Sequence, residues 1–356
     1  RLLDGRLTAD VTYYDKYTRD QIVESELSYL SNYQRVIINS GKISNKGWEI
    51  SVSGVPVKVK NFEWKTIFNW SKNNSMVESL PEGIDKIQIG SGVYNVKSYA
   101  EVGKPYGAIY AKTFKRDAEG YILCQLDGSP KEGQDYEYLG CVQADWRGGW
   151  NNVFRLGNFS FSVMFDFQKG GKFFSQTSIQ SSVDGQSVKS LEGRDADFFS
   201  RKILGESDEE RYGFMRPQNA NTPTANGQVY PDWGRPKGVV LPNCRYDEDV
   251  EGLAGQQVLG YCTPERYWMH YTSRDISRFI YDASYVKLRE ITVSYDLPKK
   301  WLRKTPFQTF RVAAVGRNIA TLFANTPHGL DPQATSTTGN AQGFERGFNL
   351  PSATYG

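Results

Sequence analysis

The chain has few of the side chains that perform catalysis or hold metal ions. Its 356 residues include four cysteines and two histidines. The cysteines show no CxxC spacing, so neither a zinc site nor a Cys/His nucleophile is predicted. The acidic residues are scattered, and no spacing singles out the two carboxylates of a glycosidase. We therefore predict that the protein is not an enzyme and has no catalytic residues.

One acidic segment begins like a calcium-binding loop. Asp247, Asp249 and Glu251 stand at positions 1, 3 and 5 of an EF-hand pattern, and Gly252 stands at position 6. Position 12 is Val258 rather than the Glu that would bind the ion with both oxygens. We expect a solvated acidic turn, with calcium in an extracellular loop as the alternative, and no other metal or cofactor.

Composition excludes two classes of protein. Lys and Arg number 43 against 40 Asp and Glu, and a net charge of +3 gives no reason to expect a nucleic-acid partner. No run of apolar residues exceeds four, whereas a membrane-spanning helix needs about 20. Aromatic residues make up 14% of the chain and glycines number 34. This composition is typical of strands and turns.

Apolar and polar residues alternate with a period of two in segments of nine to twelve residues. The segments are 6–17, 47–57, 62–72, 159–167, 285–295 and 309–319. In 159–167, Phe159, Phe161, Val163, Phe165 and Phe167 alternate with Ser160, Ser162, Met164 and Asp166. Such alternation predicts strands with one apolar face. Between Leu288 and Ile291 the phase slips by one residue, which predicts a β-bulge.

The connections between these strands alternate in length. Residues 58–61, 157–158 and 298–306 are short connections, whereas 21–42, 77–145, 171–283 and 321–350 are long ones. Long loops therefore leave one rim and short turns the other, as in outer-membrane β-barrels. We predict an all-β, antiparallel transmembrane β-barrel portion with long extracellular loops. About seven strands are complete, an eighth begins near Pro351, and the barrel they belong to is larger.

A soluble β-sandwich is the alternative, because its strands also alternate. The predicted strands match the length of about 9 to 11 residues that a bilayer requires. Aromatic residues also lie near the strand ends, as in an interfacial girdle. These are Tyr13, Tyr17, Trp48, Trp64, Trp70, Tyr285, Tyr295 and Trp301.

Several segments, in order, resemble the SusC-like TonB-dependent transporters of Bacteroidetes over nearly the whole chain. The most specific is the segment 282–298, DASYVKLREITVSYDLP. The others are the strand from Arg6 to Asp15, the segments 39–47 and 102–107, the glycine pairs 148–149 and 170–171, and the segments 316–318 and 330–332. The stretch 351–355 departs from the pattern because it lacks an expected basic residue.

The resemblance implies that residues 1–356 are the C-terminal part of a receptor barrel, with the plug domain and the N-terminal strands absent. It also implies an outer-membrane protein that imports oligosaccharides or peptides. A SusD-like surface lipoprotein would be its partner, and the TonB system would act through the missing N-terminal region. Two alternatives stay open, a soluble all-β carbohydrate-binding or hydrolytic domain and an outer-membrane adhesin.

Candidate site residues follow from the loops and from the alternation. Aromatic rings in the long loops could contact substrate or the SusD-like lipoprotein, which by the resemblance would close over the extracellular mouth as a lid, with core packing as the alternative for each ring. They are Tyr94, Tyr99, Tyr106, Tyr110, Tyr136, Tyr138, Tyr230, Trp233 and Trp268. The polar face of the strands should line the lumen, while the apolar face contacts outer-membrane lipid. The predicted lumen residues are Asp10, Glu49, Ser160, Ser162 and Asp166.

The four cysteines fall in two long loops on the same rim. Cys124 and Cys141 lie in loop 77–145, and Cys244 and Cys262 lie in loop 171–283. An oxidising compartment would favour one disulfide within each loop. Free thiols are the alternative, because sequence does not fix connectivity.

Overall fold

The structure is a computed structural model of the chain. It describes residues 6–19, 22–26, 35–39, 41–192, 239–262, 264–327, 329–335, 342–345 and 354–355. The predicted contact residues Tyr230 and Trp233 lie outside these ranges.

Strands dominate the described part of the chain. In chain order they are β1 (Leu7–Arg19), β2 (Ile22–Glu26), β3 (Arg35–Asn39), β4 (Lys42–Val59), β5 (Phe62–Ser79), β6 (Lys86–Ser91), β7 (Lys97–Glu101), β8 (Ala108–Ala111), β9 (Ile122–Cys124), β10 (Glu137–Cys141), β11 (Trp146–Leu156), β12 (Phe159–Lys169), β13 (Lys172–Ser175), β14 (Val239–Tyr246), β15 (Gln257–Cys262), β16 (Ile280–Asp282), β17 (Tyr285–Asp296), β18 (Arg311–Ala324), β19 (Phe344–Glu345) and β20 (Thr354–Tyr355).

Helical segments are short. They are α1 (Gln176–Val183), the 3₁₀ turns Val188–Leu191 and Ile276–Phe279, the segment Pro264–Arg266 with the π turn Tyr267–Tyr271, and α2 (Lys299–Leu302). Among the described residues, no helix has the length and apolar character needed to cross a bilayer.

The predicted fold class is confirmed. Eight strands form one sheet in the order β1-β4-β5-β11-β12-β17-β18-β20, which we call the wall. Every neighbouring pair in it is antiparallel. Seven of its strands are long, and β20 is the short start of the predicted eighth. Gly157 has a φ of +56° in the two-residue turn between β11 and β12, a conformation that glycine adopts without strain.

The wall has one apolar and one polar face, because residues that pair across strands point to the same side. One row on the apolar face runs Val57–Trp64–Phe154–Phe161–Val293–Ala314. The ring centroid of Phe154 lies 5.9 Å from that of Trp64 and 6.1 Å from that of Phe161. Phe159 is 50% exposed and Trp150 is 41% exposed. No second sheet covers these rings in the described part of the chain, which favours the barrel over the sandwich.

Two features of the wall differ from the predictions. β4 and β5 have 18 residues each and extend past the predicted ends at the long-loop rim. There the backbone hydrogen bonds between the strands continue after the apolar alternation has stopped. The alternation therefore underestimates the length of both strands. Tyr285 is also buried rather than part of a girdle, since its hydroxyl bonds Asp166 on the polar face.

The long loops fold together above the wall. Loop 77–145 supplies the sheet β10-β8-β7-β6, and β9 of the same loop pairs in parallel with β14 of loop 171–283. A core that includes Phe114, Cys124, Tyr246 and Trp268 joins these two loops. A second core joins Ile109, Phe174 and Phe344 from three loops. The loops are therefore structured caps with their own apolar interiors.

The structure contradicts both predicted disulfides, because all four cysteines are free thiols. Cys124 lies in β9 and Cys141 lies in β10 of a different sheet. Within the β14/β15 pair, Cys262 is opposite Val239 and Cys244 is opposite Val258, so those two thiols are separated along the strands. Cys124, Cys244 and Cys262 instead share one buried core. Loop membership in the sequence carries no information about this arrangement.

We expect four alkylatable thiols when the unreduced protein is unfolded, and slow alkylation when it is native. Contact with Cys244, together with burial, raises the pKa of the Cys124 thiol, and burial raises the pKa of the Cys262 thiol. A raised thiol pKa leaves less of the reactive thiolate. Mass spectrometry of unreduced peptides measures both states. A peptide pair joined by a disulfide would contradict the free-thiol arrangement.

Candidate functional site

One face of the sheet β10-β8-β7-β6 carries four of the nine aromatic side chains predicted to contact a ligand. The opposite face is apolar and buried, with Ile87, Ala100 and Ile109 in its cores. Strand alternation thus sends the intervening side chains away from the core. We call this outer surface the Tyr–Lys face. It consists of Lys86, Lys97, Tyr99, Glu101, Lys104, Tyr110, Tyr136 and Tyr138.

The rings of the Tyr–Lys face form a continuous contact across three strands. Tyr138 and Lys97 are the cross-strand neighbours of Tyr110 on either side. The centroid of Tyr110 is 5.2 Å from that of Tyr99 and 5.6 Å from that of Tyr138. Tyr110 is buried between its neighbours, whereas Tyr138 is 42% exposed. Tyr110 therefore supports the face, and Tyr138 is its more accessible ring.

Three lysines lie over these rings. The Nζ of Lys86 is 5.1 Å from the centroids of both Tyr99 and Tyr110. The Nζ of Lys104 is 4.7 Å from the Tyr138 centroid. The Nζ of Lys97 is 4.5 Å from the centroid of Tyr136, which extends the same arrangement outward. Cation–π contacts of this kind hold the side chains in place and concentrate positive charge beside flat rings.

Glu101 fixes the polar end of the cluster. Its carboxylate accepts a hydrogen bond from the Tyr110 hydroxyl and pairs with the Lys104 ammonium at 3.0 Å. Burial opposes ionisation of Glu101, but these two donors outweigh it and hold the pKa of the carboxyl below its usual range. The bond to Tyr110 also raises the pKa of Lys104. The pair is therefore fully charged at neutral pH.

Two pockets lie at the long-loop end of the wall, and Tyr138 of the Tyr–Lys face lines the first of them. The first has a volume of about 490 Å³, and Tyr138, Pro105, Asn73 and Lys172 are among its lining residues. The second, of about 400 Å³, is lined by polar groups that include Arg147, Asp166 and Gln333, and by Lys172 as well. Lys172 is common to both. The aromatic face thus adjoins polar space that continues onto the polar face of the wall.

The predicted lumen residues share one face of the wall. Pairing places Asp10 in a row with Ser51, Asn69, Gly149 and Asp166. Glu49 lies one row further along, opposite Thr12. The even spacing from Asp166 puts Ser160 and Ser162 on the same side, opposite the exposed rings of Phe159 and Phe161. These five residues therefore lie on the polar face of the wall, opposite its apolar face, as the alternation predicts.

The predicted bulge positions a charged network that sequence patterns missed. Arg289 is the extra residue, because Met164 pairs with Glu290 and Phe165 pairs with Leu288. Its guanidinium donates from Nε to Asp166 Oδ2 at 3.1 Å and from Nη1 to Asn318 Oδ1 at 2.6 Å. Asn318 has a φ of +51°. The phase slip and the segment 316–318 were the available signals for this site.

The same network ties a loop to the wall. The Nζ of Lys287 lies 2.6 Å from both carboxylate oxygens of Asp331 and 3.0 Å from Oε1 of Gln333. Gln333 also accepts from Arg289 Nη2 at 2.7 Å. The Lys287 side chain is only 4% exposed. The segment 331–333 is therefore held against the polar face by buried charged hydrogen bonds.

The acidic turn at 247–252 is a cross-loop anchor. Asp247 is 2% exposed, and its carboxylate oxygens accept from the Nζ of Lys115 at 3.0 Å and of Lys131 at 2.6 Å. Burial opposes ionisation, but the hydrogen bonds from the two lysines prevail and lower the pKa of Asp247. Two ammonium groups thus stand where calcium would bind. Among the described residues, no group of three His, Cys, Asp or Glu side chains is arranged to hold a metal ion.

The remaining predicted contact residues in the described part of the chain are Tyr94, Tyr106 and Trp268. Tyr94 is half-buried and donates to Gln180 Oε1 at 2.7 Å. Burial raises the pKa of Tyr106 to about 12, and Tyr106 packs against the core of Ile43 and Val77. Trp268 is 1% exposed and donates to the carbonyl of Glu192, so its prediction as a contact residue is wrong. Its burial comes from a loop core that no local pattern reveals.

No protein-family model matches the chain. TonB-dependent receptor P3 of Formosa agariphila is 24% identical over 376 aligned positions, which cover 99% of this chain and 31% of the receptor. TonB-dependent receptor P26 of the same organism is 26% identical over 49% of this chain. The chain spans about a third of the length of its full-coverage relative.

Solved structures show the same fold. The RagAB peptide transporter aligns with 99% of this chain and 33% of its own, at a TM-score of 0.56 and 16% identity. The RagAB peptide importer in its closed-closed state aligns with 96% of the chain at a TM-score of 0.56. These matches, together with the receptors, confirm the resemblance to SusC-like TonB-dependent transporters.

Proposed function

We propose that the chain is part of an outer-membrane TonB-dependent importer whose long loops bind the substrate. The observation that carries this proposal is the Tyr–Lys face, which borders the first of two pockets at the long-loop end of a wall with an apolar outer face. Substrate held there would have the polar face of the wall below it. The proposal places residues 1–356 in the C-terminal part of the barrel and leaves the plug and TonB contact to the region upstream.

Two substrate classes fit the Tyr–Lys face. Tyrosine rings offer flat apolar surfaces with a polar edge, which suit the faces of sugar rings and also peptide side chains. Lysines beside the rings add donors for hydroxyl or carboxylate oxygens. The solved structures with this fold are described as peptide transporters, which supports peptides, whereas the family resemblance supports oligosaccharides.

A SusD-like lipoprotein is the proposed partner on the same rim. The family resemblance implies this partner, and the folded loop caps offer a structured surface for it to contact. Because the caps interlock through the pairing of β9 with β14, loops 77–145 and 171–283 would present one joint surface to the lid. The short turns at 58–61, 157–158 and 298–306 lie at the opposite rim and would contact neither lid nor substrate.

Replacing Tyr138 with alanine should weaken substrate binding by about 3- to 30-fold, because the exposed ring and its contact with Lys104 are lost. Uptake by cells and calorimetry with candidate oligosaccharides and peptides measure the effect on the full-length protein. Tyr138→Phe keeps the ring and should bind nearly as wild type does. Tyr13→Ala removes an exposed ring from the outer surface of the wall and is the matched control. Equal losses in Tyr138→Ala and Tyr13→Ala would contradict the site.

Deleting residues 200–232 from loop 171–283 should impair lid association while the barrel still assembles. The described wall strands all lie outside this segment in sequence, and loops tolerate change better than the strands they connect. Co-purification of the lipoprotein and growth on the cognate substrate are the measurements. Unchanged growth and unchanged co-purification would show that this loop is not part of the binding surface.

A further inference from the structure

The short turns of the wall form a rim with an unusual charge. We call residues 58–63, 155–160 and 296–311 the short-turn rim. It contains eight basic and two acidic residues, although the whole chain has a net charge of only +3. All eight basic side chains are exposed, namely Lys58, Lys60, Arg155, Lys299, Lys300, Arg303, Lys304 and Arg311. The positive charge of the protein is therefore concentrated at this end.

Both acids of the short-turn rim already have partners. Glu63 pairs with Lys58 at 3.1 Å, and Asp296 pairs with Arg311 at 2.6 Å. Within the described ranges, no carboxylate lies in ion-pair distance of the other six basic side chains. Four of these six fall within the segment 299–304, on and beside α2. The turn between β17 and β18 thus carries a dense group of charges that no acid of the described chain neutralises.

Exposed apolar side chains lie among these charges. Leu302 is buried and holds α2 against the protein, whereas the preceding residue, Trp301, is 61% exposed. Phe307 is 56% exposed and Phe310 is 43% exposed. Val59 and Leu156 on the neighbouring turns are 62% and 64% exposed. The apolar face of the wall therefore continues into the basic rim without a polar break.

This combination matches one kind of surface, the boundary between acyl chains and anionic headgroups. Aromatic rings favour that boundary, and lysine and arginine beside it extend their charges toward phosphate groups. A soluble acidic partner would satisfy the charges but would leave the rings and Leu156 in contact with water. We propose that the short-turn rim binds anionic phospholipids, with Lys299, Lys300, Arg303 and Lys304 contacting the headgroups and Trp301 and Phe307 entering the acyl boundary.

The inference rests on the membrane placement in the proposed function and adds a lipid class to it. Each basic residue near an anionic lipid surface contributes about fivefold in affinity. Replacing Lys299, Lys300, Arg303 and Lys304 with glutamine should therefore weaken binding by up to several hundredfold, the product of four fivefold contributions. Raising the salt concentration should weaken wild-type binding in the same direction, because exposed charges are screened.

The experiment uses the full-length protein in detergent, with phosphatidylglycerol and phosphatidylcholine as probes and native mass spectrometry as the readout. We expect wild type to retain phosphatidylglycerol preferentially and the quadruple variant to lose that preference. The matched control replaces Lys16, Arg19, Lys72 and Arg116 with glutamine, which removes the same charge from exposed positions away from the short-turn rim. Circular dichroism confirms that both variants fold.

Three results would overturn the proposal. These are equal retention of the two lipids by wild type, retained preference in the quadruple variant, and equal losses in the variant and its control. A second measurement addresses the ring: brominated phosphatidylglycerol should quench wild-type tryptophan fluorescence more than that of Trp301→Phe. A failure of membrane placement is distinguishable, because a charge on the apolar face of the wall would then leave folding in lipid unchanged.

Discussion

Replacing Asp331 with asparagine should lower the free energy of unfolding by about 3–5 kcal/mol, since the change leaves a buried charge without its partner. Lys287 is almost completely buried, and both carboxylate oxygens of Asp331 lie 2.6 Å from its Nζ. An asparagine has one oxygen in this position and no charge. Gln333 remains within 3.0 Å but offers only a neutral acceptor.

Urea unfolding of the full-length protein in lipid vesicles measures this effect. Asp296→Asn is the matched control, because its pair with Arg311 is exposed and should contribute at most about 1 kcal/mol. The double change Lys287→Met with Asp331→Leu removes both charges and should recover much of the loss. A loss in Asp331→Asn no larger than that of the control would show that the network is not important for stability.

Replacing Val163 with arginine should cost about 2–4 kcal/mol of folding free energy in lipid. Val163 lies near the middle of β12 on the apolar face, in a row with Ile291 and Gly316. A charge at mid-bilayer on that face has no water and no acid to pair with. The measurement is the folded fraction in lipid vesicles across a urea series.

Met164→Arg is the control for this change. Met164 is the next residue, at the same depth, but its side chain lies on the polar face and is 36% exposed. It should therefore accept an arginine at little cost. Similar costs for the two variants would mean that the two faces of β12 do not differ in environment, which contradicts the membrane placement.

The wall could be predicted from the sequence because its information is local. Alternation in 159–167 sets which side chains of β12 face outward, and Gly157-Asn158 sets the register with β11. The bulge was visible as a phase slip, but its consequence was not, because Asp166, Asn318 and Gln333 reach Arg289 only after folding. The strand ends at Lys42 of β4 and Ser79 of β5 were not predicted, because polar residues occur on both faces of the strands there.

The loops were predictable only in part. Aromatic density indicated the region of Tyr99, Tyr110 and Tyr138 and thereby identified the Tyr–Lys face. The same signal also selected Trp268, whose burial depends on a core built from two loops. The cysteines illustrate the same limit. Cys124 and Cys244 are brought together by the parallel pairing of β9 with β14, and no residue near either cysteine in the sequence indicates this pairing.

The parallel pairing of β9 with β14 has a consequence for the order of folding. The wall hairpins β4/β5, β11/β12 and β17/β18 pair strands that are adjacent in sequence, whereas Lys115 and Asp247 are 132 residues apart. Contacts of such high sequence separation carry a large loop-closure cost and form late. The caps would therefore close only after hairpins such as β11 with β12 have formed, at the stage when β12 pairs with β17 across the same long loop.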